Sequence, residues 1–458
     1  MRHSINISTS SKGHARALIV LGIPIIIGQL GTIAQSFADT IMVGRYGTSE
    51  LAASGFVNNV FNLVIFFLLG FSYSTTPIVG ANFGRKQYDD CSRTLKESLF
   101  ANLLTCFAAM LFMLLIFFNL HHLGQPENLL PLIRPYFLII LSSLPFMSAF
   151  NSLKQFSDGV GDTKTPMYIM IIGNMANIIG NYLLIYGFSV PFAGIHVGAM
   201  GLNGAGIATL ASRVLMAIVL WIIVRKSTRY SLFHPGFKKK MTKRGVIHLS
   251  KLGLPISLQL SLESASFNLT AVMMGWLGEQ ELASHQVICT IGTLCFMFYY
   301  GVGAAAAVRI SHFRGRGELG EIRRIAFTAY ALAIAAGLIL TPLISFNFNA
   351  LCFAFTSSQD VVMICMTLLL PFCIYQLGDC TQILFANSLR AIEDVKPLMW
   401  YAFIAYIIVS VPSSYLFGFT LGLGALGIWF GFPLGLSTAG ILFLTRFLRK
   451  TRGYAKAT

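Results

Sequence analysis

Residues 21–56, "LGIPIIIGQLGTIAQSFADTIMVGRYGTSELAASGF", return 231 positions later as residues 252–287, "LGLPISLQLSLESASFNLTAVMMGWLGEQELASHQV", without a gap. Eleven of the 36 aligned positions are identical, among them Pro24 with Pro255, Gly44 with Gly275, and Glu50-Leu51-Ala52 with Glu281-Leu282-Ala283. The same offset carries "GANFGRK" at Gly80 onto "SHFRGRG" at Ser311, and "GDTKTP" at Gly161 is answered by "EDVKP" at Glu393. The chain is written twice, and self-similarity on this scale marks an architecture assembled from copies of one unit.

Composition says where the copies live. The 458 residues are 55% hydrophobic and 11% charged, with a mean hydropathy of +0.71, whereas about a quarter of a soluble domain is charged. Apolar runs of about 20 residues, each long enough to cross ~30 Å of hydrocarbon as a helix, recur at 17–43, 53–80, 95–118, 131–157, 166–187 and 203–224. Six more follow at 251–276, 285–308, 325–347, 362–389, 397–417 and 426–446. The expected fold is therefore an all-α integral membrane protein of twelve transmembrane helices in two six-helix bundles related by an internal parallel repeat. Its parts are a tail 1–16, an N-terminal lobe 17–224, a basic linker 225–250, a C-terminal lobe 251–446 and a basic tail 447–458. Six is even, so both copies have one orientation and the repeat axis lies along the membrane normal, a layout that supports a cleft opening alternately to either side. Glycine-rich stretches such as "GLNGAGIATLAS" and "LGLGALGIWFGFPLG" predict close helix packing. The first apolar run is too long for the core of a cleaved leader and reads as span 1.

The net charge of +16 has a topological meaning. Thirty of the 33 lysines and arginines fall on the side of the termini; Arg45 and Arg134 lie on the other side and Arg213 within span 6. The positive-inside rule then places both termini in the cytoplasm, and the basic loops read as contacts with anionic lipid rather than with nucleic acid. The eight cysteines are scattered without metal-ligand or framework spacing and read as small buried hydrophobes. No GxxxxGK[ST] loop appears, which argues against a directly ATP-driven pump.

Of the 17 acidic residues, only Asp39, Glu263 and Asp379 lie well inside spans. A charge at the centre of a spanning helix costs about 2.5–3.5 kcal/mol even on insertion scales, so each is a candidate functional group, the alternative being a hydrogen bond or ion pair that fixes two helices. Glu263 in span 7 and Asp379 in span 10 share one half with no obvious basic partner there. Two acids in one low-dielectric bundle share either a proton or a cation. Tyr375, four residues before Asp379, presents an aromatic face on the same side of the helix, which suits a cation. In the other half, Asn174, Asn177 and Asn181 form a polar stripe on span 5, either packing glue or a wall around the Asp39 carboxyl. The repeat aligns Glu263 with Thr32 and Asp39 with Thr270, so the duplication kept the scaffold and not the site. Lys154 is expected to snorkel to the cytoplasmic edge, and Arg213 to find a partner inside the bundle.

The paired "LGxP" openings, "FADTIMVGRYGTSELAA" with its repeat, the basic connections after spans 2 and 8, and the set of Glu263, Tyr375 and Asp379 resemble a multidrug and toxic compound extrusion (MATE) transporter of the NorM-like branch, along nearly the whole chain. The resemblance implies a V-shaped pair of lobes that exports organic, often lipophilic cationic compounds in exchange for Na⁺ or H⁺. It implies a non-enzymatic monomer of the inner membrane without a cofactor. Glu263 and Asp379 match the branch's cation-binding carboxylates, and Na⁺ ligands if coupling is to sodium, with Tyr375 beside them. Asp39 matches the acid of helix 1, with Asn177 and Asn181 as its helix-5 partners, and Gln286, Asn174 and Arg213 are further cleft-lining candidates. A related branch carries an acid where Asn181 stands, which favours the NorM-like assignment. Among alternatives, a lipid-linked oligosaccharide flippase of related fold would line its cleft with several arginines, where this chain offers mainly Arg213. A major-facilitator carrier lacks support in the loop after span 2, and an intramembrane aspartyl protease leaves the duplication unexplained.

Overall fold

The computed structural model describes residues 10–123, 126–190 and 195–454. Twelve long helical segments follow one another: α1 (Ser11–Tyr46), α2 (Thr48–Gly84, with a turn at Tyr73 and Ser74), α3 (Tyr88–Phe118), α4 (Leu130–Gly159), α5 (Lys164–Tyr186) and α6 (Gly201–Lys226). The second series is α7 (Lys243–Leu277), α8 (Glu279–Arg316), α9 (Gly320–Phe346), α10 (Leu369–Ala391), α11 (Lys396–Thr420) and α12 (Gly424–Lys450). A short antiparallel ribbon, β1 (Phe188–Val190) with β2 (Ile195–Val197), joins α5 to α6.

Among the described residues, eleven helices are long and apolar enough to cross a bilayer. The remaining long helix, α7, is less apolar because Gln259, Ser261, Glu263, Ser266, Asn268 and Thr270 interrupt its middle. One expected span differs. The run 362–389 is two helices, Gln359–Thr367 and α10, because Pro371 lies in the first turn of α10, where its missing N–H and restricted predecessor favour a helix start. Helix α1 begins at Ser11 and α12 ends at Lys450, so each helix extends several residues beyond its apolar run.

The backbone forms two compact units. One comprises the described parts of Met1–Ile26, Thr76–Lys86 and Leu254–Thr458; the other is Ile27–Thr75 with Gln87–Gly253. Neither unit is a clean half of the sequence. In the first unit the ends of α2 and α8, which carry the repeated Gly-Arg pairs, cross at their glycines. A Cβ added to Gly84 would lie 2.2 Å from the His312 carbonyl oxygen, and one added to Gly315 would lie 2.1 Å from that of Ala81. Only glycine permits so close a crossing. The duplicated motif is thus the seam that holds residues 76–86 in this unit.

The second repeated motif acts as a clasp. Asp162 of "GDTKTP" takes the Arg229 guanidinium at 2.8 Å, just beyond α6. Its counterpart Asp394 of "EDVKP" holds Arg446, near the end of α12, through two bonds of 2.6 and 3.0 Å. Each copy therefore ties its fourth-to-fifth helix connection to the end of its sixth helix, with the bidentate Arg–carboxylate geometry in the second copy.

The basic segment 225–250 is fixed in the second unit rather than slack. The Tyr230 hydroxyl donates to Asp162 Oδ2 at 2.9 Å, and its ring lies against Phe156. Burial, reinforced by the Asp162 carboxylate, keeps that hydroxyl protonated well above the ordinary phenol range. Ser92 Oγ donates to the Phe233 carbonyl at 2.6 Å, and Glu97 of α3 accepts from the Thr242 amide at 2.9 Å and hydroxyl at 2.7 Å, satisfying a donor at the start of α7.

Gly84→Ala and Gly315→Ala should each overpack the crossing and cost about 1–3 kcal/mol, read as a lower Tm of the purified protein. Gly55→Ala, where an added Cβ meets nothing within 4 Å, should leave Tm unchanged or raise it slightly; equal Tm values for all three variants would contradict the seam.

Candidate functional site

The carboxylates of the C-terminal half converge on one amide. Glu263 lies midway along α7 and Asp379 midway along α10. Between them, Gln382 Nε2 donates to Glu263 Oε1 at 3.0 Å and to Asp379 Oδ1 at 3.3 Å. A carboxamide nitrogen carries two hydrogens, so one side chain holds an oxygen of each acid at a common point. Behind Glu263, Gln259 Nε2 approaches Oε2 at 3.5 Å, and Gln259 Oε1 accepts from Arg390 Nη2 at 2.5 Å. Arg390, a basic residue of the same half, reaches Glu263 through Gln259, which holds the guanidinium one side chain away.

Tyr375 is buried four residues before Asp379, with its ring edge-on to Phe372 and Trp429. Its hydroxyl fits because α8 has a glycine opposite: a Cβ on Gly292 would lie 2.3 Å from the Tyr375 oxygen. Around the pair, the hydroxyls of Tyr299 and Tyr406, the Gln376 amide and Gln382 Oε1 are buried without a hydrogen-bond partner. Buried polar groups are normally paired, so this lining is suited to water or to an oxygen-seeking cation. Among the described residues, no three His, Cys, Asp or Glu side chains gather in a metal-binding group. The oxygens available are those of two carboxylates, an amide and phenols, a set suited to a hard ion.

Asp39 has a separate surrounding in the second unit. Asn181 Nδ2 donates to its Oδ1, and Gln35 Nε2, one turn back on α1, approaches Oδ2 at 3.4 Å. Asn177, with its amide nitrogen turned toward Asp39, donates to Oδ1 at 2.9 Å and accepts from the Thr209 hydroxyl at 3.2 Å. Two members of the span-5 stripe therefore meet the acid. Asn174, one turn earlier, lies instead against Gly31 of α1, where a Cβ would stand 3.1 Å from its Nδ2. Arg213 donates to Ser143 Oγ at 2.6 Å and acts on Asp39 through space rather than by direct contact.

Two candidates fall elsewhere. Gln286 is exposed on α8, and its carbonyl accepts from the Thr290 hydroxyl; no described bond joins its side chain to the acidic pair. Lys154 does not snorkel: it is buried, and its Nζ bonds Asp158 Oδ2 at 2.7 Å within one helical turn, so a partner replaces solvent. Sequence reading missed Gln382, Gln259 and Arg390. The available signal was position: 375, 379 and 382 are spaced four and three apart on one helical face, as are 259 and 263.

These features define a duplicated polytopic membrane protein with an acidic site inside its second bundle. The MatE family pattern matches residues 24–183 and again 255–416, two segments that begin at the repeated Pro24 and Pro255. The chain belongs to the MatE family. It is 28% identical over 429 residues to the multidrug resistance protein MdtK of Yersinia pseudotuberculosis, covering 91% of each chain. It is 26% identical over 422 residues to the probable multidrug resistance protein NorM of Photorhabdus laumondii, covering 90% of this chain and 91% of that one. A solved outward-facing multidrug resistance MATE family transporter superposes with a TM-score of 0.87 at 19% identity, over 97% of both chains. That likeness establishes the fold.

Replacing the bridging amide should separate the two acids. Gln382→Leu is expected to shift the midpoint of any response of the pair to Na⁺ or to acid at least tenfold while the protein still folds, as read by tryptophan fluorescence and by Tm; an unchanged midpoint would remove Gln382 from the site.

Proposed function

We propose that this chain is a secondary-active multidrug efflux transporter that exports organic, often lipophilic cationic compounds in exchange for Na⁺ or H⁺ by alternating access. The observation that carries the reading is the Glu263–Gln382–Asp379 bridge, an acidic pair inside a helical bundle, with Asp379 buried and Glu263 half-buried, without a lysine or arginine in its described hydrogen bonds. The MdtK and NorM names of its relatives support the same reading. The protein spans the inner membrane with both termini and the basic connections in the cytoplasm, and works as a monomer.

The exchange follows from competition. An ionised acid attracts an organic cation, and apolar and aromatic walls add burial energy. A proton or sodium ion arriving at the carboxylates removes that attraction, and the compound leaves. A ligand shifts the balance of inward- and outward-open states only by its different affinity for them. One pH unit supplies about 1.4 kcal/mol per proton, about tenfold accumulation. If two ions exchange for one monovalent compound, the membrane potential adds about 2.3 kcal/mol per 100 mV for the extra charge. Asp39, with its own amide shell, serves the organic substrate; the pair in the second bundle serves the ion.

Everted membrane vesicles loaded with a fluorescent organic cation, and challenged separately with Na⁺ and with acid, identify the coupling ion. Glu263→Gln and Asp379→Asn should each abolish ion-triggered movement while membrane insertion is retained; wild-type transport in either variant overturns that residue's role. Asp39→Asn should weaken binding of the organic cation about tenfold or more and leave the fluorescence response to the ion intact. Loss of both responses in a folded Asp39→Asn protein would contradict the division of labour.

A further inference from the structure

The end of α6 presents an arginine that the transport reading leaves unused. Arg225 lies in the last turn of that helix, and its guanidinium carbon stands over two aromatic rings, 5.5 Å from the centre of Trp221 and 4.7 Å from that of Phe237. The rings meet at 75° with centroids 6.4 Å apart and form two walls of a cradle. Trp221 comes one turn earlier on α6, whereas Phe237 belongs to the short helix Pro235–Lys238, which α3 fixes in place. Lys96 Nζ of α3 donates to the Phe237 carbonyl at 3.0 Å, and Gly236 passes so close to α3 that an added Cβ would lie 2.5 Å from the Asp89 carbonyl oxygen. Nearby basic groups have acidic partners: Arg229 has Asp162, and Lys239 has Asp89 and Asp90. Arg225 makes no hydrogen bond or ion pair with any described residue.

A ring attracts a cation through its π electrons and leaves the N–H groups of the guanidinium unbonded. Those donors form a planar fork that matches a phosphate. The surface leading to the fork is apolar: Leu215, Ile218, Trp221 and Ile222 are exposed on α6 at spacings of three and four, on the helical face that ends at Arg225. On a helix that crosses the bilayer, hydrocarbon meets such a face, and headgroups meet the tryptophan and the basic residue at its end. We propose that the cradle of Arg225, Trp221 and Phe237 is a binding site for one anionic phospholipid, with the phosphate on the guanidinium and an acyl chain along Leu215, Ile218 and Ile222. A soluble phosphate would meet the charge but not the apolar face, so a lipid is the occupant that fits the whole surface. A zwitterionic headgroup would bring its own cation beside Arg225 and Lys226, so the site prefers a lipid of net negative charge.

The test places the full-length protein in phosphatidylcholine vesicles and mixes in phosphatidylglycerol with brominated acyl chains, which quench nearby tryptophan. The Trp221 signal is the fluorescence lost in a matched Trp221→Phe variant. In wild type, brominated phosphatidylglycerol should quench Trp221 with an apparent affinity about fivefold above that of brominated phosphatidylcholine, the worth of one basic side chain at an anionic surface. Arg225→Gln should bring the two lipids to parity. Lys226→Gln removes the same charge from the same turn and should keep the preference, whereas Phe237→Leu keeps the charge, removes one wall and should lose it. No preference in wild type, or a preference that survives Arg225→Gln or Phe237→Leu, overturns the proposal. Equal losses in Arg225→Gln and Lys226→Gln would mean a diffuse basic surface and no site. Loss of the wild-type preference on adding inorganic phosphate would make the occupant a soluble anion and overturn the lipid assignment.

Discussion

A polar group removed from water inside a membrane protein must find its partner within the protein, and in this chain that constraint centres on the Gln382 amide held between Glu263 and Asp379. Two acids facing one neutral donor form an arrangement that a directly bonded arginine would lock. Here Arg390 is kept one residue away by Gln259. The amide orients both carboxylates without neutralising them, and the surrounding phenols and amides leave oxygens to spare. In the proposed role, such a site would hold a small cation and still release it. Strong pairing would sacrifice that exchange.

The duplication shows which contacts serve architecture. Asp162 and Asp394 perform one task in the two copies, each holding an arginine at or just beyond the end of the sixth helix of its series. Gly84 and Gly315, also repeat partners, make one close crossing between helix ends. The polar sites do not follow the repeat. Glu263 and Asp379 are joined by an amide, whereas Asp39 sits among Asn177, Asn181 and Gln35. Structural motifs are thus the repeated ones, and the chemistry has diverged on the common frame.

The fold was legible because its main signals are collective: twelve apolar runs, an offset of 231 and the distribution of basic residues. Glu263, Asp379 and Asp39 were legible as individual residues because charge within a spanning helix is costly. Their partners were less so. Gln382 and Gln259 differ from other membrane glutamines only by helical phase, and Arg390 reads from sequence as a loop-proximal topology signal. Asn174 shares the stripe of Asn177 and Asn181 but lies one turn before them on α5, against Gly31 rather than Asp39. The break before α10 was hidden by uninterrupted apolarity around Pro371. The basic linker 225–250 was legible by its charge, but composition does not reveal that Tyr230 bonds Ser157 at the end of α4 or that the Phe233 carbonyl accepts from Ser92 near the start of α3.

The central claim is that a small inorganic cation and a large organic one exclude each other thermodynamically. Equilibrium binding of a radiolabelled organic cation to the purified wild-type protein, titrated across Na⁺ concentration at fixed pH and across pH at fixed Na⁺, tests this most directly. The account predicts an apparent Kd for the organic cation that rises steadily with one of the two ions, with the ion's own affinity weakened reciprocally. An organic-cation Kd that is indifferent to both Na⁺ and pH would contradict it.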